Sequence, residues 1–197
     1  MMHISSLVAA TRSVRRFQEQ RLIEESRLRE WVDLARLGGS ARNAQVLKYM
    51  VVSESRQREQ LFPLLGWAGY LPDWQGPVAG ERPSAYILCL LDRSLLKGAE
   101  HEAHVDCGIA SQNILLAAAE QGVAGCRIGA FPAKIDRLVQ LEEPLSVLLV
   151  LALGYPAESV TLEEVGVDGD IRYWRDQEQG HHVPKRSLAE VLVAPTF

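Results

Sequence analysis

The chain has 197 residues, with 21 Lys+Arg against 25 Asp+Glu and a formal net charge of −4. That length and an apolar share of 47% suit one folded unit, residues 1–197, with a sizeable core, and they exclude wholesale disorder. Without a basic excess, a partner held mainly by phosphate backbones, and so nucleic acid, is not expected.

Taken in chain order, the N-terminal stretch places its basic residues after a short apolar run, the reverse of a secretory signal. Thr11 to Phe17, TRSVRRF, brings Arg12, Ser13, Arg15 and Arg16 together. Such groups form charge-assisted, bidentate bonds to a phosphate, although a basic surface turn has the same composition. Leu28, Trp31, Val32 and Ala35 recur at i, i+3, i+4 and i+7, so Ser26 to Leu37 is predicted to be an amphipathic helix stopped by Gly38-Gly39. Ser40, Asn43 and Gln45 follow in a Gly-led turn, where their side chains serve either a ligand or ordinary helix-end and turn chemistry. Tyr49 to Val52 and Ala85 to Leu91 are predicted strands.

Between those strands lies a loop, Gly66 to Ser84, with four Gly and three Pro. Trp67, Tyr70 and Trp74 stand at i, i+3 and i+7. On a helix they would share a face and stack on a planar substrate, and the loop would border the pocket. They are equally suited to packing inward, and Pro72 and Pro77 weigh against a continuous helix.

His104 to Gln121 is predicted to be a long helix ended by Gly122, interrupted only by Asp106, Ser111, Gln112 and Asn113. A helix this apolar must be covered on most sides, and a second subunit is the expected cover. Gly122 to Phe131 allows close backbone approach to a flat ligand, or forms an ordinary connection with a short strand. Val147 to Gly154 predicts a central strand covered on both faces. Ile171 to Arg175 and His182 to Lys185 suit a hairpin across Asp176 to Gly180. The patterned tail, about 158–197, is expected to pack on a partner subunit as an arm, and it carries a second cationic pair, Lys185 and Arg186.

Exclusions narrow the chemistry. Apolar runs fall short of the ~18 residues of a membrane span, so no membrane partner is expected. Three separated cysteines with no CxxC indicate neither a disulfide framework nor structural zinc, which suits a reducing, cytoplasmic setting. His101 and His104, like His181 and His182, are expected to be solvated, and no metal site is predicted. GxSxG, HExxH, a P-loop and GxGxxG are absent.

Four segments in order carry a resemblance: R-S-x-R-x-F at the start, S-x-x-N-x-Q after the first long helix, D-x-G-x-A-x-Q-N-x-L-L-A-A from Asp106 to Ala118, and G-C-x-I-G-x-F from Gly125 to Phe131. The sequence resembles the nitroreductase family of FMN-dependent oxidoreductases over nearly its whole length. It looks most like a subgroup of short members without assigned physiological substrates. The resemblance implies an α+β fold, with a nitroreductase-like central mixed sheet flanked by helices. It also implies an intertwined homodimer with a C-terminal arm and FMN at the subunit interface. Arg12, Ser13 and Arg15 would contact the phosphate or the pyrimidine edge, and Ser40, Asn43 and Gln45 would come from the other subunit. Lys185 or Arg186 would complete the phosphate site, and Gly129 and Ala130 match the segment whose backbone faces flavin N5. Gly38-Gly39 and Val46-Leu47 replace the A-P and P-W found in many members, and Arg127 stands at a position often apolar or aromatic.

The implied activity is hydride transfer from NADH or NADPH and reduction of a nitroaromatic, quinone or similar flat acceptor, by a ping-pong mechanism. No side chain is required as general acid or base. The alternative is a flavin-binding carrier or sensor without turnover. FMN is expected rather than FAD, because two cationic clusters suit a terminal phosphate and no adenylate fingerprint is present.

Overall fold

Alternation of side chains organises the centre of the computed structural model, which describes residues 3–196. The helices are α1 (Ile4–Ala10), α2 (Glu25–Arg36), α3 (Ser55–Leu61), α4 (Glu100–Glu120), α5 (Ile135–Leu138) and α6 (Leu188–Val191). The strands are β1 (Leu47–Val52), β2 (Ala85–Asp92), β3 (Ala124–Ile128), β4 (Leu145–Gly154), β5 (Val160–Glu164), β6 (Trp174–Arg175) and β7 (His181–Lys185). On β2, Ala85, Ile87 and Cys89 face Trp31 of α2 and Ile114 of α4, while Tyr86, Leu88 and Leu90 face Leu61 of α3 and Ile135 of α5. Covered on both faces, Ala85 to Leu91 of β2 and Val147 to Leu153 of β4 hold uninterrupted apolar sequence, as a period of two with two cores demands.

The central sheet has the order β1-β2-β4-β3, and its strand pairs are all antiparallel. The α+β expectation holds, but the central sheet is not mixed in its ladders. α4 carries the chain from β2 to β3, which run the same way, and β4 then inserts between them antiparallel to both. Among the described residues, parallel pairing occurs only at the isolated bridge Ser13–Gly125 and between β5 and β7 in a second, three-stranded sheet.

Local sequence explains where the elements end. α2 buries Leu28, Trp31 and Ala35, with Glu25 in its first turn and Arg36 in its last, each at the favourable end of the helix dipole. α4 begins four residues earlier than its apolar run, because Glu100 and Glu102 favour a first turn that hydrophobic periodicity cannot register. It stops in a Schellman motif: Gly122 takes φ +74°, Val123 N–H donates to Ala118 C=O and Gly122 N–H to Ala119 C=O. In the single chain one side of α4 stays open, with Val105 60% and Ile109 41% exposed. The tail forms the expected hairpin with a shorter first strand, Trp174 opposite His182 and Arg175 opposite His181. No helix among the described residues is long and apolar enough to cross a membrane.

Candidate functional site

The segment after α1 runs along the free edge of β3, with Val14 N–H donating to Gly125 C=O at 3.2 Å, and is pinned further on by the fully buried Phe17. Between these anchors Arg15 turns inward and is 8% exposed. Its Nη1 donates to Ser13 C=O at 3.3 Å and to His181 Nε2 at 3.1 Å, and its guanidinium carbon lies 4.7 Å from the Tyr173 ring centre. One Glu158 carboxylate oxygen accepts from the backbone N–H groups of Arg15 and Arg16, and the other accepts from Arg175 Nη2 at 2.7 Å. Trp74 covers Arg175 at 4.4 Å. The hairpin and the N-terminal segment are thereby joined by a buried charge cluster.

His181 is 1% exposed, contrary to the solvated position expected of it. Hairpin register explains this, since pairing with Arg175 turns His181 toward Arg15. Burial, followed by the Arg15 and Arg175 charges, pushes its pKa down to about 4. The ring is therefore neutral at neutral pH, leaving Nε2 free to accept from Arg15. His182 faces away, stacks on Trp174 at 4.1 Å and bonds Asp176 at 2.9 Å and Glu163 at 2.5 Å, and these carboxylates raise its pKa.

Arg15 opens into a cavity of about 280 Å³, walled by Tyr173, by Gly66, Trp67 and Gly69 of the loop, and by the chain from Cys126 to Ala130. A Cβ placed on Gly129 would meet no atom within 4 Å, so glycine leaves the backbone open to a flat ligand there. Gly66 N–H donates to Ala130 C=O at 2.7 Å, tying the loop to this floor. Arg12 lies outside this wall, with Nη2 donating to Val8 C=O at 3.0 Å and a buried Nε that has no partner among the described residues. Arg127, also on the cavity wall, turns toward α4, with Nε donating to Ser111 Oγ at 2.9 Å and Nη2 to Gln112 Oε1 at 2.7 Å. Gln112 in turn donates to Thr11 Oγ1 at 3.2 Å, so a polar string joins the N-terminal segment, α4 and β3.

Ser40, Asn43 and Gln45 do not line this cavity. They form a turn in which Arg42, Asn43 and Gln45 hold φ of 54°, 51° and 51°, three left-handed non-glycine residues within four positions, a conformation that costs energy and clusters at functional sites. Ser40 Oγ accepts from Gln45 N–H at 3.1 Å, and Asp106 Oδ1 accepts from Ala41 N–H at 2.9 Å, which fixes the turn to α4. Ser40 and Gln45 line a second cavity of about 340 Å³ with Tyr49, Lys48 and Asp106. Lys185, the last residue of β7, and Arg186 lie exposed, and among the described residues Arg186 pairs only with Glu190.

The three loop aromatics do not share a face, because Gly66 to Ser84 holds turns and no helix. Trp67 packs by Phe62 with its edge at the Arg15 cavity, Tyr70 meets Tyr173, and Trp74 covers Arg175. Sequence reasoning missed Tyr173, Glu158 and His181. The one available signal was an aromatic residue set between Arg172 and Arg175 in an alternating stretch.

An antiparallel sheet between two helical layers, with a guanidinium on the wall of a cavity floored by glycine backbone, defines the chain as an α+β protein. The chain belongs to the nitroreductase family, a family of oxidoreductases, whose model matches residues 8–155. It is 33% identical over 163 residues, 80% of each chain, to a Methanothermobacter thermautotrophicus protein provisionally named NADH dehydrogenase/NAD(P)H nitroreductase. Two solved structures share its fold. One is a provisionally assigned nitroreductase of Desulfovibrio desulfuricans in complex with FMN, with TM-score 0.71 and 21% identity over 100% of this chain and 99% of that one. The other is a nitroreductase family protein of Clostridium difficile, with TM-score 0.69 and 20% identity over all of both chains.

Proposed function

We propose that this protein is a homodimeric FMN-dependent oxidoreductase that uses NADH or NADPH to reduce a nitroaromatic, quinone or similar flat acceptor in ping-pong fashion. The observation that carries this reading is the cavity where Arg15 meets the open backbone at Gly129 and Ala130. Its lining fits FMN: Arg15 leaves Nη2 without a protein acceptor among the described residues, and the floor at Gly129 has room where a side chain would intrude. When bound, FMN supplies the redox chemistry, accepting hydride from the nicotinamide and returning two electrons to the acceptor. Arg12 and Arg15 bind and orient anionic groups, Ser13 adds a hydroxyl, and the Gly129–Ala130 backbone presents fixed dipoles.

Ser40, Asn43 and Gln45 supply polar groups to the cavity of a second copy, and the open face of α4 supports that assembly through Val105 and Ile109. The C-terminal residues after the hairpin act as an arm on the partner. Leu188, Val191, Leu192 and Val193 are 60–86% exposed and await cover. Lys185 or Arg186 reaches the phosphate only across such an interface. Cys89, Cys107 and Cys126 are buried with free thiols, which suits a cytoplasmic setting.

The test is the visible spectrum of the purified protein, mass identification of the released chromophore, and anaerobic titration with NADH and NADPH. Bound FMN that bleaches and is recoloured by a quinone is expected. FMN that binds without bleaching would leave the carrier or sensor reading, and FAD or no flavin after reconstitution would overturn the assignment.

A further inference from the structure

Tyr173 lies outside the motif segments that suggested a site, yet more of the Arg15 cluster converges on it than on any loop aromatic. Counting by two along the hairpin puts Tyr173 and Arg175 on the inner side, while Trp174 turns outward onto His182. The Tyr173 ring lies 4.7 Å from the Arg15 guanidinium carbon, 5.2 Å from the His181 ring and 5.0 Å from the Tyr70 ring. Its hydroxyl accepts a hydrogen bond from the Tyr70 backbone N–H at 3.2 Å. It also forms part of the cavity wall across from the Gly129–Ala130 floor.

We infer that Tyr173 is a positioning residue of the candidate site, a clasp whose ring carries the Arg15 guanidinium and whose hydroxyl holds the aromatic loop, so that the cation and the loop wall of the cavity are placed together. An aromatic face holds a guanidinium through its quadrupole without consuming an N–H donor. Arg15 makes its side-chain bonds to protein through Nη1, so Nη2 has no protein acceptor among the described residues and remains available to a ligand. Among the described residues the Tyr70 backbone N–H is tied through the Tyr173 hydroxyl alone, which gives the loop a further anchor beside the Gly66–Ala130 bond. Acceptor size then depends on the C-terminal hairpin as well as on the loop.

What the clasp positions rests on the FMN reading, while the clasp itself does not, and the experiment separates the two. Amide hydrogen exchange is measured on flavin-free wild type, Tyr173→Phe and Tyr173→Leu, and FMN affinity is measured by fluorescence titration of the same proteins. Tyr173→Phe keeps the ring and removes the hydroxyl, so the amides around Tyr70 should exchange about fivefold faster, the worth of one modest hydrogen bond. Tyr173→Leu should weaken FMN binding about tenfold, within the range of a cation–π contact, and Tyr173→Phe should restore most of that affinity. The clasp is overturned by unchanged loop exchange in Tyr173→Phe. It is equally overturned if Tyr173→Phe binds FMN as weakly as Tyr173→Leu, or if Tyr173→Leu binds as wild type does. Wild type that binds no FMN would remove the functional reading, and loop exchange would still uphold or overturn the clasp.

Discussion

Two adjacent histidines at the start of β7 have opposite acid–base characters, and this follows from which side of a hairpin each occupies. His181, buried among cations, has a folded pKa of about 4 against an ordinary 6.5, so on acidification the unfolded chain binds its proton first. The stability it lends is present above 6.5 and is lost as pH falls toward 4. His182, raised by Asp176 and Glu163, contributes stability that is complete below its unfolded value and lost as pH rises through its folded one. Melting curves between pH 4 and 9 should therefore show His182→Asn losing most at the acidic end, with the gap to wild type closing toward pH 9. His181→Gln should lose less than wild type between pH 6.5 and 4. A gap of constant size across the range would refute the assignment. Glu158 is the other decisive residue, since its pair with Arg175 is only 2% and 8% exposed. Glu158→Gln strands a buried cation and should cost about 3–5 kcal/mol in denaturant unfolding. Glu25→Gln, which breaks an exposed pair with Arg29, should stay within about 0.5 kcal/mol.

At the scale of elements, the same kind of apolar sequence serves two purposes. In β2 and β4 it reflects cover on both faces, while in α4 part of it faces solvent in the single chain. Val105 and Ile109 stand one turn apart on that open side. Val105→Asp combined with Ile109→Asp should leave the chain folded by circular dichroism and shift sedimentation from dimer to monomer, with FMN released. A double variant that sediments as wild type does would place the interface elsewhere. The aromatic loop has its own logic, since Trp74 shields the Arg175–Glu158 pair from water. Trp74→Ala should cost about 1–2 kcal/mol, the worth of a cation–π contact on a buried pair, well below the ~3–5 kcal/mol of truncating a core tryptophan.

At the scale of the whole molecule, the candidate ligand groups fall in two separate cavities. Arg15 and Gly129 line one, Ser40 and Gln45 the other. A dimer in which one copy's turn completes the other copy's cavity makes a specific prediction. Arg15→Ala and Gln45→Ala homodimers should each bind FMN weakly. A mixed dimer of the two variants, purified through different tags, should regain one tight FMN per dimer, because one of its cavities draws both intact residues. Weak binding at both cavities of the mixed dimer would show that all the groups act within one chain.

Periodicity and spacing were sufficient for α2 to within a residue at each end, for α4 from His104 onward but not for its first turn, for β1, β2 and β4 of the central sheet, for the hairpin and for the glycine at the cavity floor, because these depend on burial pattern and backbone freedom that each residue carries locally. Arg12, Ser13 and Arg15 stood out as candidate ligand groups for the same reason, since charge and donor chemistry belong to the side chain wherever it sits, but only the tertiary structure put Arg15 alone of the three on the cavity wall. Tertiary structure alone decided strand order, with β4 inserted between β2 and β3, and so the antiparallel character of the sheet. It alone turned His181 inward, set Glu158 beneath two backbone N–H groups some 140 residues earlier in the chain, and carried Tyr173 to Arg15. Contacts that distant depend on which faces of two elements meet, and no local pattern in either element encodes that meeting.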